Sequence, residues 1–348
     1  MIADSLCFPS SRWRSVARTA LLGCALLGLS FGKSSHAQPS AATVAACPNW
    51  MGADESAAYW LSQFDEGSLH KQPLDGPSVL LGRGCSRMAD GSVRMDREAI
   101  YCIDGNWQNI LRMDKSNGAQ TLLRVGRPLR GAIRLVGDSV LFGLAEGNDW
   151  NRIALLPKQG GAPRIVASSG SGIQSFDADG RGVVWLDQQG GVWSASLAAP
   201  APGRPSPPPR KLNDARVCAQ GVRVPADCGL AIDGDYIFLS VQPRCAGNDP
   251  CPKPTARIER MGRGGGGWVS VAFSQNTIRG LQLDGDTVIW ADCIAGTIAR
   301  MPRRGGTIRA LQAPGACWAY AVGDKDVFWF NAGKKLDWTD CTLQRAHK

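Results

Sequence analysis

Residues 278–312 read IRGLQLDGDTVIWADCIAGTIARMPRRGGTIRALQ, and this stretch decides the fold. Four short apolar runs, IRGLQL, TVIWA, TIARM and TIRAL, are separated by Asp-Gly-Asp, Ala-Gly and Arg-Arg-Gly-Gly. Runs of about five residues joined by Gly- and Asp-containing turns form an antiparallel meander. The second run, Thr287 to Ala291, is apolar at consecutive positions, as a strand covered on both faces must be. One small sheet cannot cover both of its own faces, so copies of the unit have to pack face to face.

The copies follow along the chain. Placing the bulky residue of the second strand in register gives Tyr101, Phe142, Trp185, Leu239, Trp290 and Trp329, at intervals of 41, 43, 54, 51 and 39 residues. A four-stranded unit repeating every ~40 residues is a β-propeller blade, and six copies predict an all-β, six-bladed β-propeller. The pattern of an aromatic followed by Asp and a Gly-Gly turn, as in Trp290-Ala291-Asp292 with Gly305-Gly306, resembles the YWTD-type six-bladed propellers and their bacterial TolB-like relatives. Such a resemblance spans Ser78 to Lys348 and implies a fold used by receptors, secretion components and enzymes. It also implies that Asp187 and Asp292 brace neighbouring blades. Calcium-dependent lactonases and esterases built on six-bladed propellers make a hydrolase of that kind an alternative function.

The N-terminus carries Arg12, Arg14 and Arg18 before a run of apolar and small residues from Thr19 to Gly32, then small residues around His36-Ala37. That order is a secretory signal peptide over residues 1–37. The run is too short for a stable membrane span, which needs about twenty residues. Leu21-Leu22-Gly23-Cys24 resembles a lipidation box, but only five residues separate Arg18 from Cys24, which disfavours a lipid anchor. Without residues 1–37 the chain keeps 35 basic and 29 acidic residues, a net charge of +6. That modest charge, with no stacking motif, excludes nucleic acid as the expected partner. Residues 38–77 read as an N-terminal arm, with a short helix over Asp54 to Phe64, and residues 78–348 as the propeller.

Ten cysteines follow the signal peptide, an even number that predicts disulfides in an exported chain. In a meander blade the link between second and third strands and the link to the next blade share one face. Cys293 and Cys317 occupy those two links and are expected to pair. The chain ends after a third strand, so the last blade needs a strand from the N-terminus to cover its edge. If Ser78 to Arg83 supplies it, Cys85 meets Cys341. By elimination Cys218 pairs with Cys228, Cys245 with Cys251, and Cys47 with Cys102.

Chemistry is sparse. The histidines left after cleavage, His70 in the arm and His347 beside the chain end, fit no Ser-His-Asp or Cys-His device and read as solvent-facing. The innermost strands begin Ile133-Arg134, Ile173-Gln174 and Ile278-Arg279, which brings guanidinium and amide groups to one channel mouth rather than an oxygen cage for metal. Arg134, Gln174 and Arg279, with Trp107, Trp150 and Trp318 in nearby links, make a candidate pocket. On the opposite face Lys115, Lys158, Arg263, Arg303 and Arg304 stand in turns between third and fourth strands, where they are either solvated or a patch for an anionic polymer. No cofactor or metal site is expected. The expected function is an exported, non-catalytic module binding a protein or polysaccharide of the cell envelope, with a structural envelope component as a further alternative.

Overall fold

The computed structural model describes residues 43–44, 48–62, 65–86, 91–146, 149–199, 201, 204, 207–215, 228–242, 256–274, 277–293, 295–317, 319–332 and 341–348, all within the unit Ala37–Lys348. The expected signal peptide and the lipidation box lie outside them. The described strands form seven four-stranded antiparallel sheets, so the blade count is seven and not six.

The innermost strands are Pro48–Ala53, Val93–Met95, Leu129–Val136, Ile173–Asp179, Leu230–Ile232, Ile278–Asp284 and Tyr320–Val322. The second strands are Ala57–Ser62, Ala99–Ile103, Ser139–Glu146, Gly182–Asp187, Tyr236–Val241, Thr287–Asp292 and Asp326–Ala332. Every residue of Ala57–Ser62, Ala99–Ile103 and Gly182–Asp187 is buried, as the consecutive apolar pattern requires. Seven apolar clusters hold most of these side chains, and several join residues of adjacent blades. Phe142, Phe176 and Trp185 are completely covered or nearly so, and burying an aromatic of that size stabilises the junction by about 2–3 kcal/mol.

The missed blade is the first. The segment read as a helical arm is a hairpin: Ala57–Ser62 pairs with Pro48–Ala53 on one side and Leu69–Pro73 on the other. Asp54 is not an acidic helix start. Its Oδ1 accepts the N–H groups of Ser56 and Ala57 and so closes the turn between the first two strands. Trp60 occupies the place of Phe142, Trp185 and Trp290, and in the second blade that place belongs to Cys102, one residue beyond Tyr101. A cysteine in an aromatic's position hid the register.

The N-terminus does complete the last blade, but with a different segment. Thr43–Val44 pairs with Cys341–His347, placing Val44 opposite Cys341. Val79–Gly82 is instead the outer strand of the first blade, paired with Leu69–Pro73. The cysteine pairing changes accordingly, because Cys85 now stands between the first and second blades. It bonds Cys102, which corrects both Cys85–Cys341 and Cys47–Cys102. Cys293 is bonded to Cys317 at the two links named above. Cys228 and Cys341 are each disulfide-bonded. Cys47, Cys218, Cys245 and Cys251 lie outside the described residues.

The Cys293–Cys317 bond closes a loop with a sequence separation of 24. A loop of that size restricts the unfolded chain by about 3 kcal/mol. The double variant Cys293→Ala, Cys317→Ala is expected to lose about that much in denaturant unfolding, and an unchanged midpoint would show that the bond adds nothing.

Candidate functional site

The seven innermost strands enclose a cavity of about 2480 Å³ along the channel. Its upper mouth is formed by the links from second to third strands and from one blade to the next. Its lower mouth is formed by the other two sets of turns.

The innermost strands are not regular. Four of them break register with the second strand near the upper mouth, between Pro48 and Trp50, Arg130 and Ile133, Ile173 and Ser175, and Arg279 and Gln282. A bulge of this kind frees a residue from the ladder and re-aims its side chain. Arg130 lies opposite Gly143 and Arg279 opposite Ala291, equivalent places in the third and sixth blades, and each precedes a glycine with positive φ, +76° at Gly131 and +62° at Gly280. Gln174 is the bulged residue of the fourth blade, with Ser175 beside it. Both line the cavity with Arg130 and Arg279.

Trp150 lies over Gly131 and Gly143, at positions where any Cβ would collide with its indole, and meets Phe176 edge to face at 5.9 Å. Three buried polar atoms at this level have no hydrogen-bond partner: Gln174 Oε1, Ser175 Oγ and Trp150 Nε1. An unmet polar atom away from water costs about 1–3 kcal/mol, so each is a place for a ligand or water to bind.

Trp107 stands at the same mouth with φ +59°, a left-handed backbone that a bulky residue rarely adopts. Asp104 imposes it. Its Oδ1 accepts the N–H groups of Gln108 and Asn109, and its Oδ2 accepts Asn109 Nδ2 at 2.9 Å. The Trp107 carbonyl in turn accepts the N–H of Leu129 at 2.7 Å, which ties Trp107 to the strand carrying Arg130. Strained non-glycine residues concentrate at functional sites, where the surroundings hold them in place.

The structure therefore brings Trp107, Trp150, Gln174 and Arg279 into the lining of one cavity, the first three in adjacent blades and Arg279 across from them, while Trp318 lies outside the described residues. Arg134 also lines the cavity but is a brace within its wall. Its Nε meets Asp177 Oδ1 at 2.7 Å, and Asp177 Oδ2 accepts the N–H of Ile232 at 2.9 Å, so the set ties three blades together. Arg130, not Arg134, is the counterpart of Arg279. The repeated Arg-Gly pair, 130–131 and 279–280, was the signal for it. Asp292 reaches the neighbouring blade through Ser274 Oγ at 2.5 Å, whereas the bonds of Asp187, to the N–H groups of Gln189 and Gly191 and to Trp193 Nε1, stay within its own blade.

The lower face is not the open basic surface that its turns suggested. In six of the seven blades the residue after the third strand donates its main-chain N–H to the turn of its own blade, at Leu74, Lys115, Lys158, Arg263, Arg303 and Lys348. Where that residue is a cation it reaches the Asp that opens the preceding blade's turn. Lys115 meets Asp54, Lys158 meets Asp96 at 2.7 Å, Arg263 meets Asp179 at 3.1 Å, Arg303 meets Asp233 at 3.2 Å, and Lys348 meets Asp284. At the two remaining junctions both partners change together: Val136 precedes Leu197, and Gly323 precedes Leu74. Of the five turn cations expected to face solvent, only Arg304 makes no such pair and remains exposed. His347 is exposed, with Nδ1 2.6 Å from Asp326 Oδ1, whereas His70 is not solvent-facing but half-buried, flat against Trp60 at 5.4 Å. Among the described residues no group of three or more His, Cys, Asp or Glu side chains is placed to hold a metal ion.

No protein-family model and no curated protein matches the chain. Solved structures do. An oligogalacturonate lyase in complex with manganese superposes with a TM-score of 0.61 at 11% identity, covering 90% of this chain and 94% of that one. An oligogalacturonate lyase from Vibrio parahaemolyticus gives 0.59 at 10% identity, covering 88% and 91%. The WD40 propeller domain of Doa1 gives 0.57 at 9% identity, covering 89% and 97%. The chain is thus similar to β-propellers of differing activity, and at these identities the likeness is one of fold.

Two expectations follow for the lower face. Burial pushes Asp54 up, but bonds from Lys115 and Ser56 outweigh it and hold the carboxyl at about 2. Burial opposes Asp96 too, and Lys158 with the N–H groups of Ala99 and Glu98 brings it below the ordinary range. Both groups are lowered by folding, so their contribution is complete above the unfolded value near 4 and lost as pH falls through the folded one. Lys158→Met is expected to destabilise by about 1–3 kcal/mol at pH 7, where Asp96 is left charged and half-buried, and by much less near pH 2. A pH-independent difference in thermal midpoint would contradict the ion-pair account. Val136→Asp with Leu197→Lys should be tolerated better than either change alone, because only the pair recreates the junction found elsewhere; additive losses in a double-mutant cycle would count against it.

Proposed function

We propose that this protein is a non-catalytic binding module whose ligand enters the upper mouth of the channel. The carrying observation is the wall shared by Trp107, Arg130, Gln174, Ser175 and Arg279, with three buried polar atoms left unmet around an opening larger than the few hundred Å³ of a small-molecule site. That wall presents cations, amides and indoles. A hydrolase needs a nucleophile with a base beside it; the hydroxyl of this wall, Ser175 Oγ, has no hydrogen-bond partner among the described residues, which favours binding. The N-terminal 37 residues and the disulfides support an exported module, and its partner class is a protein or polysaccharide of the cell envelope. Among the described residues no helix is long and apolar enough to cross a membrane.

Immobilised protein is expected to retain a fraction from solubilised cell envelope that elutes at high salt. Trp107→Ala and Arg130→Ala should each lower retention at least about tenfold, while Arg304→Ala, on the other face, should not. Equal retention by all three variants would remove the upper mouth as the site.

A further inference from the structure

The carboxylates along the channel are confined to one end. The carboxylates that line it, Asp54, Glu55, Asp96, Glu98, Asp114 and Asp324, all stand at the lower turns, and two of them are tied to Lys115 and Lys158. The innermost strands contribute arginines to the lining instead. Arg134 is consumed by Asp177, whereas Arg130 is exposed at the bulge and forms no ion pair among the described residues. Arg279 occupies the equivalent bulge of the sixth blade, so cations are set into opposite parts of the mouth. A channel end lined by one sign of charge draws in a ligand of the other sign.

Charge alone does not account for the unmet atoms. Gln174 Oε1 can only accept a hydrogen bond, Trp150 Nε1 can only donate one, and Ser175 Oγ does both. A carboxylate satisfies Arg130 and Trp150 but leaves Gln174 Oε1 without a donor. A hydroxyl both donates and accepts, and neighbouring hydroxyls on one ring present several such groups together. Trp107, held in its strained turn beside Arg130, adds an aromatic at the mouth against which the apolar face of a ring can pack. The cavity exceeds what one monosaccharide would fill.

Resting on the binding-module reading above, we infer that the ligand is an acidic polysaccharide, a chain of hydroxyl-bearing rings with carboxylates, seated on Trp107, Arg130, Trp150, Gln174 and Ser175. A short galacturonic acid oligomer is the probe, with a neutral maltooligosaccharide and an oligoglutamate of equal length as controls. Calorimetric titration of the full chain is expected to show the acidic oligosaccharide binding at least about tenfold more tightly than either control, with affinity falling as salt rises. Arg130→Ala and Gln174→Leu should each weaken it about tenfold or more; Arg304→Ala should leave it unchanged, and circular dichroism on each variant checks the fold. Oligoglutamate binding as tightly would make the ligand an acidic peptide and overturn the inference. Maltooligosaccharide binding as tightly would overturn it by showing that charge is not read. If no probe binds while envelope retention still depends on Trp107, the ligand class is wrong and the site stands; if retention is also indifferent to Trp107 and Arg130, both readings fall.

Discussion

A strand that is apolar on both faces has to be covered on both sides, and everything in this molecule follows from satisfying that demand seven times. Ala57–Ser62, Ala99–Ile103 and Gly182–Asp187 are buried throughout, so each blade serves as the cover for the next. An open stack would leave its end blades uncovered. A ring has no ends, and Thr43–Val44, pairing with Cys341–His347, gives the last sheet its fourth strand. Apolar burial sets the ring's existence, and polar contacts set the order and spacing of its members.

Those polar contacts differ between the two faces. On the lower face the Asp that closes one blade's first turn receives a cation from the next blade, at five of the seven junctions. The same carboxylate thus fixes a turn through main-chain N–H groups and joins two blades through a side chain, as Asp233 does with Asp235, Tyr236 and Arg303. An exposed ion pair contributes little, but these are partly buried, and four of the five carboxylates, Asp54, Asp96, Asp179 and Asp233, hold several donors at once. Val136 with Leu197 and Gly323 with Leu74 show the alternative, in which neither a lone charge nor half of a pair is left behind. Breaking one half alone would strand a partly buried ion, which explains why both positions change together.

Much of this architecture could be read from residues, and the failures have definite causes. Apolar runs punctuated by Asp-Gly and Gly-Gly reveal meander blades because turn chemistry and strand burial are local properties. The count failed where a local signal misled: Asp54 and Glu55 before AAYWL resemble the acidic start of a helix, while Cys102, standing where five other blades place an aromatic, shifted the second blade by one residue. Losing the first blade shifted the closing strand from Thr43–Val44 to Ser78–Arg83 and carried Cys85 to the wrong partner. Trp107, Trp150, Gln174 and Arg279 line the cavity as expected, because links and strand starts fall on predictable faces. Arg130 was missed in favour of Arg134 because a bulge changes which residue leaves the ladder, and periodicity does not reveal a bulge. The lower cations were misread for a related reason: a turn lysine looks solvated until the preceding blade's Asp is known to stand beside it.

On the binding reading proposed above, the two faces divide the work between holding the ring and meeting a ligand. Cations committed to Asp54, Asp96, Asp179, Asp233 and Asp284 are neutralised, so the positive charge counted in the sequence is largely unavailable on that surface. The upper mouth is built differently. Its turns are fixed by carboxylates at the ends of second strands, Asp104 and Asp187 among them, which bond main-chain and indole N–H groups of their own blades. Disulfide Cys293–Cys317 adds rigidity to the same face. A wall fixed in this way can keep Trp107 in an unfavourable backbone and Gln174 outside its ladder before any ligand arrives. Such preorganisation lowers the ordering cost of binding, since the strain is borne by folding rather than by association. Because the lower face closes the ring without using the bulged residues of the upper one, those residues are free to vary with the ligand while the ring stays the same.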